Sequence, residues 1–104
     1  MSWVDACGVE DIDADDVSRF DRAGRTYAIY RTGNDAVFCS DGLCSHQQAH
    51  LAGGLLTGHT IECPKHNGCF DIRTGDPIRR PATLRLVTYP ARVTNGRIWV
   101  DLPE

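Results

Sequence analysis

Two short motifs in the middle of this 104-residue chain each combine a thiol with an imidazole. Cys44-Ser-His46 is a Cys-x-His motif, Cys63-Pro-Lys-His66 is a Cys-x-x-His motif, and 16 residues separate His46 from Cys63. Thiolate sulfur and imidazole nitrogen are ligands of zinc and of iron–sulfur centres. The neighbouring dipeptides Asp41-Gly42 and Asn67-Gly68 favour turns, so we expect two loops that could hold one metal centre between them.

Two kinds of metal centre are compatible with this ligand set. A single zinc ion is bound by two cysteines and two histidines in many structural sites, but those sites usually pair Cys with Cys and His with His along the sequence. Here each motif contains one cysteine and one histidine. Mixed motifs suit a two-iron cluster if the two cysteines bind one iron and the two histidines bind the other. A zinc-stabilised interaction domain remains the alternative.

The cysteine count and the charge distribution restrict the class of protein. Five cysteines is an odd number, and residues 1–15 carry five acidic side chains and no basic one, which is not a secretory signal. We therefore expect a cytoplasmic protein without a disulfide framework. The apolar runs are far shorter than the roughly 20 residues of a membrane span. The net charge of −3 and the absence of a basic block give no sign of nucleic-acid binding.

The elements that must position these loops are predicted to be β-strands. Residues 25–31 and 36–39 are rich in aromatic and β-branched residues and are separated by a turn sequence, which predicts a hairpin. Residues 17–20 predict a second hairpin with 25–31. Asn95-Gly96 between the runs 84–94 and 97–101 is a strong hairpin signal. Residues 9–16 are compatible with one helical turn or with an acidic loop.

The segment from about 42 to 82 differs in composition from both flanks. It holds six of the ten glycines and all four histidines. Residues 55–61 predict a hairpin that would hold the two loops side by side. We expect one domain over residues 1–104, in which both ends of the chain build a β scaffold and the middle forms a loop-rich functional subdomain.

The two motifs resemble those of Rieske [2Fe–2S] domains. The continuation Asn67-Gly-Cys-Phe-Asp-Ile-Arg-Thr-Gly75 is similar to the run that follows the second motif in bacterial Rieske ferredoxins and oxygenases, and Pro81 lies where the family has a proline-containing loop over the cluster. The resemblance implies an all-β fold, an antiparallel Rieske-type β-sandwich or barrel with a small cluster-binding subdomain. It implies one [2Fe–2S] cluster, with the inner iron bound by Cys44 and Cys63 and the outer, more exposed iron bound by His46 and His66.

The resemblance also indicates a branch of the family. Respiratory Rieske proteins have an additional cysteine in each loop and hydroxyl donors near the second histidine, whereas Ala49, Lys65, Gly68 and Phe70 occupy those positions here. Fewer hydrogen bonds to the sulfurs imply a low potential for such a centre, toward about −150 mV. The two histidines outside the motifs, His50 and His59, lie in the cluster segment, so no separate catalytic iron site can be assigned.

The function implied is electron transfer without chemistry on a substrate. We expect a monomeric one-electron carrier between an NAD(P)H-dependent flavoprotein reductase and a terminal Rieske oxygenase, of an aromatic-ring or other catabolic type. An alternative is a Rieske-like subunit that stays tightly bound in a reductase or oxygenase complex. The sequence does not identify the oxygenase or its substrate.

The other notable residues have structural interpretations. Cys69 is predicted to be a packed or partly exposed thiol, Cys7 and Cys39 to be small apolar residues in strands, and His50 and His59 to be surface or hydrogen-bonding histidines. We expect core packing for the two tryptophans and tight backbone geometry at Gly53-Gly54. The candidates for partner contact are Gln47, Gln48, Asn67 and Pro81.

Overall fold

The computed structural model describes residues 1–44, 49–65 and 67–104, and within these ranges it is built from β-strands and two short 3₁₀ turns. The 3₁₀ turns are Val9–Asp11 and Leu51–Gly53. The strands are β1 (Ser2–Gly8), β2 (Asp16–Arg22), β3 (Arg25–Arg31), β4 (Val37–Asp41), β5 (Leu55–Thr57), β6 (Thr60–Glu62), β7 (Cys69–Asp71), β8 (Pro77–Arg79), β9 (Thr88–Tyr89), β10 (Ala91–Thr94) and β11 (Arg97–Leu102). No helix among the described residues is long and apolar enough to cross a membrane.

The strands form three antiparallel sheets. The outer sheet has the order β1-β11-β10, the middle sheet β2-β3-β4-β9, and the third sheet β5-β6-β7-β8. All four strands of the third sheet lie within the segment 42–82. The prediction of an antiparallel all-β architecture is confirmed.

Strand β3 separates two apolar cores because successive side chains of a strand point to opposite faces. Tyr27 and Ile29 belong to the outer-sheet core, where they pack with Ile98, Val100 and Leu102 of β11. Ala28 and Tyr30 belong to the cysteine-side core, whose other members include Cys44, Leu51, Leu56, Ile61, Cys63, Phe70 and Ala82. The middle sheet is therefore packed on both faces.

The predicted hairpins are confirmed. β2 pairs with β3, β3 with β4, β5 with β6, and β10 with β11. Asn95 and Gly96 connect the last pair with φ values of 52° and 75°, the conformation that the Asn-Gly turn predicts. Residues 9–16, which the sequence left undecided, begin with the 3₁₀ turn, continue as a loop to Asp15 and end with Asp16, the first residue of β2.

The run 84–94 is not one strand. It is divided into β9 and β10 at Pro90, which has no N–H to donate to a sheet. β9 pairs with β4 in the middle sheet and β10 pairs with β11 in the outer sheet, so the proline marks the place where the chain changes sheets.

The expectation of core packing for Trp3 and Trp99 is wrong. Ile98, Val100 and Leu102 take the inner face of β11, which places Trp99 on the outer face of the same sheet. Trp3 is 38% exposed, and the guanidinium of Arg92 stacks over its ring at 4.2 Å from the centroid.

Candidate metal centre

The first cysteine lies at the base of a loop that main-chain hydrogen bonds close between Cys44 and Ala49. We call the closed base of such a loop its neck. The N–H of Cys44 donates to the carbonyl of Ala49 at 2.7 Å, and the N–H of Leu51 donates to the carbonyl of Gly42 at 2.7 Å. A bridge between Leu43 and His50 lies between these two bonds. Cys44 is buried, at 3% exposure. The neck thus holds the first thiol inside the protein.

The second cysteine has the same relationship to its own loop. The N–H of Cys63 donates to the carbonyl of Gly68 at 2.8 Å, and the N–H of Asn67 donates to the carbonyl of Cys63 at 3.1 Å. Asn67 has a φ of 59°, a left-handed conformation that Asn tolerates better than most residues. Cys63 is fully buried. In both loops, the cysteine N–H is bonded to the carbonyl five residues further on.

The sheet brings the two loops together as the sequence predicted. The hairpin β5–β6 connects them, and both thiols belong to the cysteine-side core. A third segment joins them: Arg80-Pro81 is a cis peptide, and Ala82 is a member of the same core. A Cβ added to Gly68 would lie 2.9 Å from the main-chain nitrogen of Ala82, so only glycine permits the second loop to approach this segment so closely.

The two predicted histidine ligands, His46 and His66, lie outside the described residues, as do Gln47 and Gln48. The structure therefore places the two cysteines of the four predicted ligands and does not test the complete set. Two buried thiols held by similarly closed loops in one apolar core fit the thiolate half of a two-iron cluster with mixed ligands.

Arg79 is a residue of this site that the sequence analysis did not identify. Its guanidinium donates to the carbonyl oxygen of Asn67 from Nε at 2.9 Å and from Nη2 at 2.6 Å. Nη2 also lies 3.0 Å from the carboxylate of Glu62. In the sequence, Arg79 is only half of the Arg79-Arg80 pair, and no local signal distinguishes it. The register that aligns Glu62, Cys69 and Arg79 across three strands is seen only in the fold.

Cys69 lies between Glu62 and Arg79 in that register. It is 5% exposed, and its Sγ donates weakly to the Asn67 carbonyl at 3.6 Å. Desolvation by burial raises the pKa of this thiol; the charge of Arg79 opposes the shift and that of Glu62 adds to it. The prediction of a packed thiol is confirmed. Cys39 is likewise buried in its predicted strand, where burial raises its pKa to about 12, and Cys7 is half-buried against the outer-sheet core.

His50 is a hydrogen-bonding histidine, as predicted, and it fixes the first loop to the middle sheet. Its Nδ1 accepts from the N–H of Ala52 at 3.0 Å. The neutral ring therefore carries its proton on Nε2, which donates to Oγ1 of Thr26 at 2.8 Å, and this hydroxyl donates to Asp21 at 2.6 Å. Desolvation by burial, followed by the charge of Arg19, lowers the pKa of His50, while Asp21 acts in the opposite direction.

His59 occupies the turn between β5 and β6 and packs edge-on against Phe38, with ring centroids 5.8 Å apart. Its main-chain carbonyl accepts from the N–H of Ile72 at 2.9 Å. Its observed contacts are therefore structural ones with the cysteine-side core.

Comparison with known proteins finds a matching family and similar chains. The family model described as the Rieske [2Fe-2S] domain matches residues 2–90. The chain is 35% identical over 102 residues to the ferredoxin component of a naphthalene 1,2-dioxygenase system of Pseudomonas putida, covering 98% of this chain and 97% of the relative.

Two solved structures are also similar. The ferredoxin of carbazole 1,9a-dioxygenase from Nocardioides aromaticivorans has a TM-score of 0.89 at 32% identity, over 96% of this chain and 97% of that chain. A chain in a complex of reduced oxygenase and oxidized ferredoxin in carbazole 1,9a-dioxygenase has a TM-score of 0.88 at 34% identity, over 94% and 91%.

The family match and the relatives imply a single [2Fe–2S] cluster and replace the zinc alternative. The buried cysteine pair, the two closed necks and the whole-chain similarity lead to one conclusion: the chain belongs to the Rieske [2Fe–2S] family and, within it, to the Rieske-type ferredoxins.

Proposed function

We propose that this protein is a one-electron carrier of a multicomponent oxygenase system. In this role it receives electrons from an NAD(P)H-dependent flavoprotein reductase and delivers them to a terminal Rieske oxygenase, and it performs no chemistry on the substrate. The observation that carries the proposal is the similarity of the whole chain to ferredoxin components of dioxygenase systems, together with two buried cysteines in equivalent closed loops.

The proposed ligands are Cys44, His46, Cys63 and His66. A [2Fe–2S] cluster bound there would accept and release one electron, and its oxidised form with two thiolates and two neutral imidazoles would carry no net charge. The protein's own contribution is positional. The necks at Cys44–Ala49 and Cys63–Gly68 fix the thiols, and Leu51, Phe70 and Ala82 exclude water from their inner side. The residues that we propose to contact the partners are His46, His66, Gln47, Gln48, Asn67 and Pro81.

The oxygenase is the partner with the more direct support, because a similar ferredoxin chain occurs in a solved complex with an oxygenase. The reductase is inferred from the need for an electron source. We further propose that the protein is a monomer and acts in the cytoplasm, as the sequence analysis expects.

The test is a single-turnover electron transfer between purified proteins. The protein with its cluster is reduced with one equivalent of dithionite, freed of excess reductant, and mixed without oxygen with each terminal Rieske oxygenase of the same organism. We expect one oxygenase to be reduced as this protein is oxidised, one electron for one, in the visible spectrum. The proposal fails if none accepts an electron.

The alternative of a permanently bound subunit gives a different result in the same preparation. A carrier should separate from the oxygenase and from the reductase in gel filtration at micromolar concentration and still support many turnovers of the oxygenase. A complex that persists through the column, with no free carrier, would instead identify this protein as a fixed subunit.

A further inference from the structure

The charges of this acidic chain are unevenly distributed along its sequence. Residues 1–41 carry nine acidic and four basic side chains, whereas residues 42–90, which contain the cysteine loops, carry three acidic and five basic ones. The net charge of −3 therefore does not describe the surface near the metal centre.

The acidic segment 9–16 and the first cysteine loop lie at opposite ends of the hairpin β2–β3. At one end Asp16 lies opposite Arg31 in the strand register. The Arg31 guanidinium donates to the carbonyls of Val9 and Ile12 in the acidic segment, at 3.1 and 2.7 Å. Toward the other end, the N–H of Gly42, at the start of the first cysteine loop, donates to the main-chain carbonyl of Thr26 at 3.0 Å. A seven-residue strand separates the two ends by about 20 Å, which exceeds the Debye length of about 8 Å at physiological salt.

Each of the three acidic residues of the segment 42–90 forms an ion pair with an arginine. Glu62 pairs with Arg79 at 3.0 Å, Asp71 with Arg73 at 2.9 Å, and Asp76 with Arg85 at 3.0 Å. These three pairs cancel in charge. Two further acidic residues at this end of the hairpin, Asp21 and Asp41, are also paired, with Arg19 at 3.0 Å and with Arg25 at 3.6 Å. Lys65 and Arg80 remain, and neither forms an ion pair with any residue in the part of the chain that the structure describes.

Lys65 and Arg80 are exposed, and both border the metal centre. Lys65 lies within the second cysteine loop, two residues after Cys63. Arg80 immediately precedes the cis proline, in the segment whose Ala82 packs against Gly68 of that loop. We call these two residues the basic rim.

We propose that the basic rim is the electrostatic part of the docking surface and that it binds an acidic face of the terminal oxygenase, around the oxygenase's electron-accepting centre. The inference rests on the proposed function for the identity of the partner, and on the rim for the sign of its charge. Complementary charge raises the rate of productive encounter and fixes the orientation, and the effect declines with salt. The acidic loop 9–16, at the far end, keeps the opposite end of the molecule away from the same acidic face.

The sign of the local field can be measured with small ions before any partner is added. The reduced protein gives one electron to ferricyanide, an anion, or to hexaamminecobalt(III), a cation. If the net charge governed the encounter, the ferricyanide rate would rise with salt. We expect the reverse, with the ferricyanide rate falling about threefold or more between about 10 and 200 mM salt and the cobalt rate rising.

Two charge-reversal variants make the test specific. The double variant Lys65→Glu/Arg80→Glu should invert both salt dependences. The control Glu10→Lys/Asp13→Lys makes an opposite change of equal size in net charge at the far end, and it should leave the ferricyanide dependence within about a factor of 1.5 of the parent. Arg80→Glu alone should give about half of this effect. It takes the place of the double variant in the test if replacement of Lys65 prevents loading with iron. A parent ferricyanide rate that rises with salt, or equal effects of near and far reversals, would overturn the inference.

The oxygenase completes the test. Its rate of reduction by this protein should fall with salt and fall further in Arg80→Glu at low salt. If no oxygenase accepts electrons while the ferricyanide result holds, the proposed function fails and the basic rim stands. If an oxygenase is reduced faster at high salt, or faster by Arg80→Glu, the docking inference fails and the proposed function stands.

Discussion

Arg79 donates two hydrogen bonds to the main-chain carbonyl oxygen of Asn67, at 2.9 and 2.6 Å. This oxygen belongs to the second cysteine loop, one residue after the proposed ligand His66. A planar guanidinium is suited to hold an oxygen in this way, because its donors are fixed relative to one another. Arg79 is therefore a positioning residue for the metal centre, although it reaches the loop only through the backbone.

Replacing Arg79 with lysine should disturb the metal centre without changing the charge. Lysine keeps the cation but loses the fork of donors, so we expect the electron paramagnetic resonance spectrum of the reduced protein to shift or broaden. The control is Arg73→Lys, since Arg73 forms a comparable exposed pair with Asp71 and does not contact Asn67. Because the Arg79 and Arg73 side chains are both more than half exposed, unfolding free energies should change by less than about 1 kcal/mol. Identical spectra for the two variants would contradict the positioning role.

The serine variant of Cys44 should fail to hold the cluster. Loss of one thiolate from a buried site removes an iron ligand, and we expect the purified protein to be colourless and the segment 42–82 to lose protection from proteolysis. Cys69→Ser is the matched control, because its hydroxyl can still donate to the Asn67 carbonyl that Cys69 contacts. Iron and acid-labile sulfide analysis measures the outcome. A full iron load in Cys44→Ser, or loss of iron in Cys69→Ser alone, would require a different ligand set.

Gly54 and Gly53 should respond differently to alanine although they are adjacent. A Cβ on Gly54 would lie 2.1 Å from the carbonyl oxygen of Glu62 and 3.2 Å from that of Leu51, so the backbone of β6 would have to move. A Cβ on Gly53 would meet only Pro64, at 3.7 Å. We expect Gly54→Ala to lower the free energy of unfolding by about 1–3 kcal/mol or more and Gly53→Ala to change it by about 0.5 kcal/mol or less. Urea unfolding of both variants measures these free energies, and an equal loss in the two variants would contradict the prediction.

Tyr30→Phe should reveal the strength of a buried hydrogen bond below the metal centre. Ser40 uses its hydroxyl proton on the carbonyl of Asp41 at 2.9 Å, so the Tyr30 hydroxyl must donate to Ser40 at 2.8 Å. Removing it leaves Ser40 still bonded to Asp41, and we expect a loss of about 0.5–1.5 kcal/mol in the free energy of unfolding. Burial holds the pKa of Tyr30 far above its ordinary value, so the loss should be constant between pH 6 and 9. A pH-dependent loss would contradict this assignment.

His50 should make the protein less stable as the pH falls below neutrality. Desolvation by burial, then Arg19, lowers its pKa in the folded state, so the unfolded chain binds a proton first as the pH drops through the ordinary histidine pKa of 6.5. Stability is complete above that value and declines below it until the folded protein is also protonated. The variant His50→Gln should show a weaker decline between pH 7.5 and 5.5, measured as the urea midpoint. A decline as steep as that of the parent would exclude His50 as its source.

The parts of the fold that local chemistry determines could be predicted from the sequence. The Asn95-Gly96 turn and the aromatic and β-branched run 25–31 depend on neighbouring residues, and the hairpins that they predict are present. The cysteine loops could be located because their turn residues and their ligand spacing are local as well.

The features that the sequence did not reveal depend on contacts between distant segments. Arg79 reaches Asn67 only because β7 and β8 pair in one particular register. The exposure of Trp3 follows from the choice of inner face in β11, almost a full chain length away. Hydrophobicity alone therefore assigned both tryptophans to the wrong side of the sheet.

The necks of the two cysteine loops are closed by groups that every residue except proline carries. The bonds from Cys44 to Ala49 and from Cys63 to Gly68 join main-chain groups, and such bonds do not depend on which side chains occupy the tips. Positions within the two loops that bind no metal can therefore change without loss of these main-chain bonds. Substitutions there should alter the surface offered to a partner at little cost in folding.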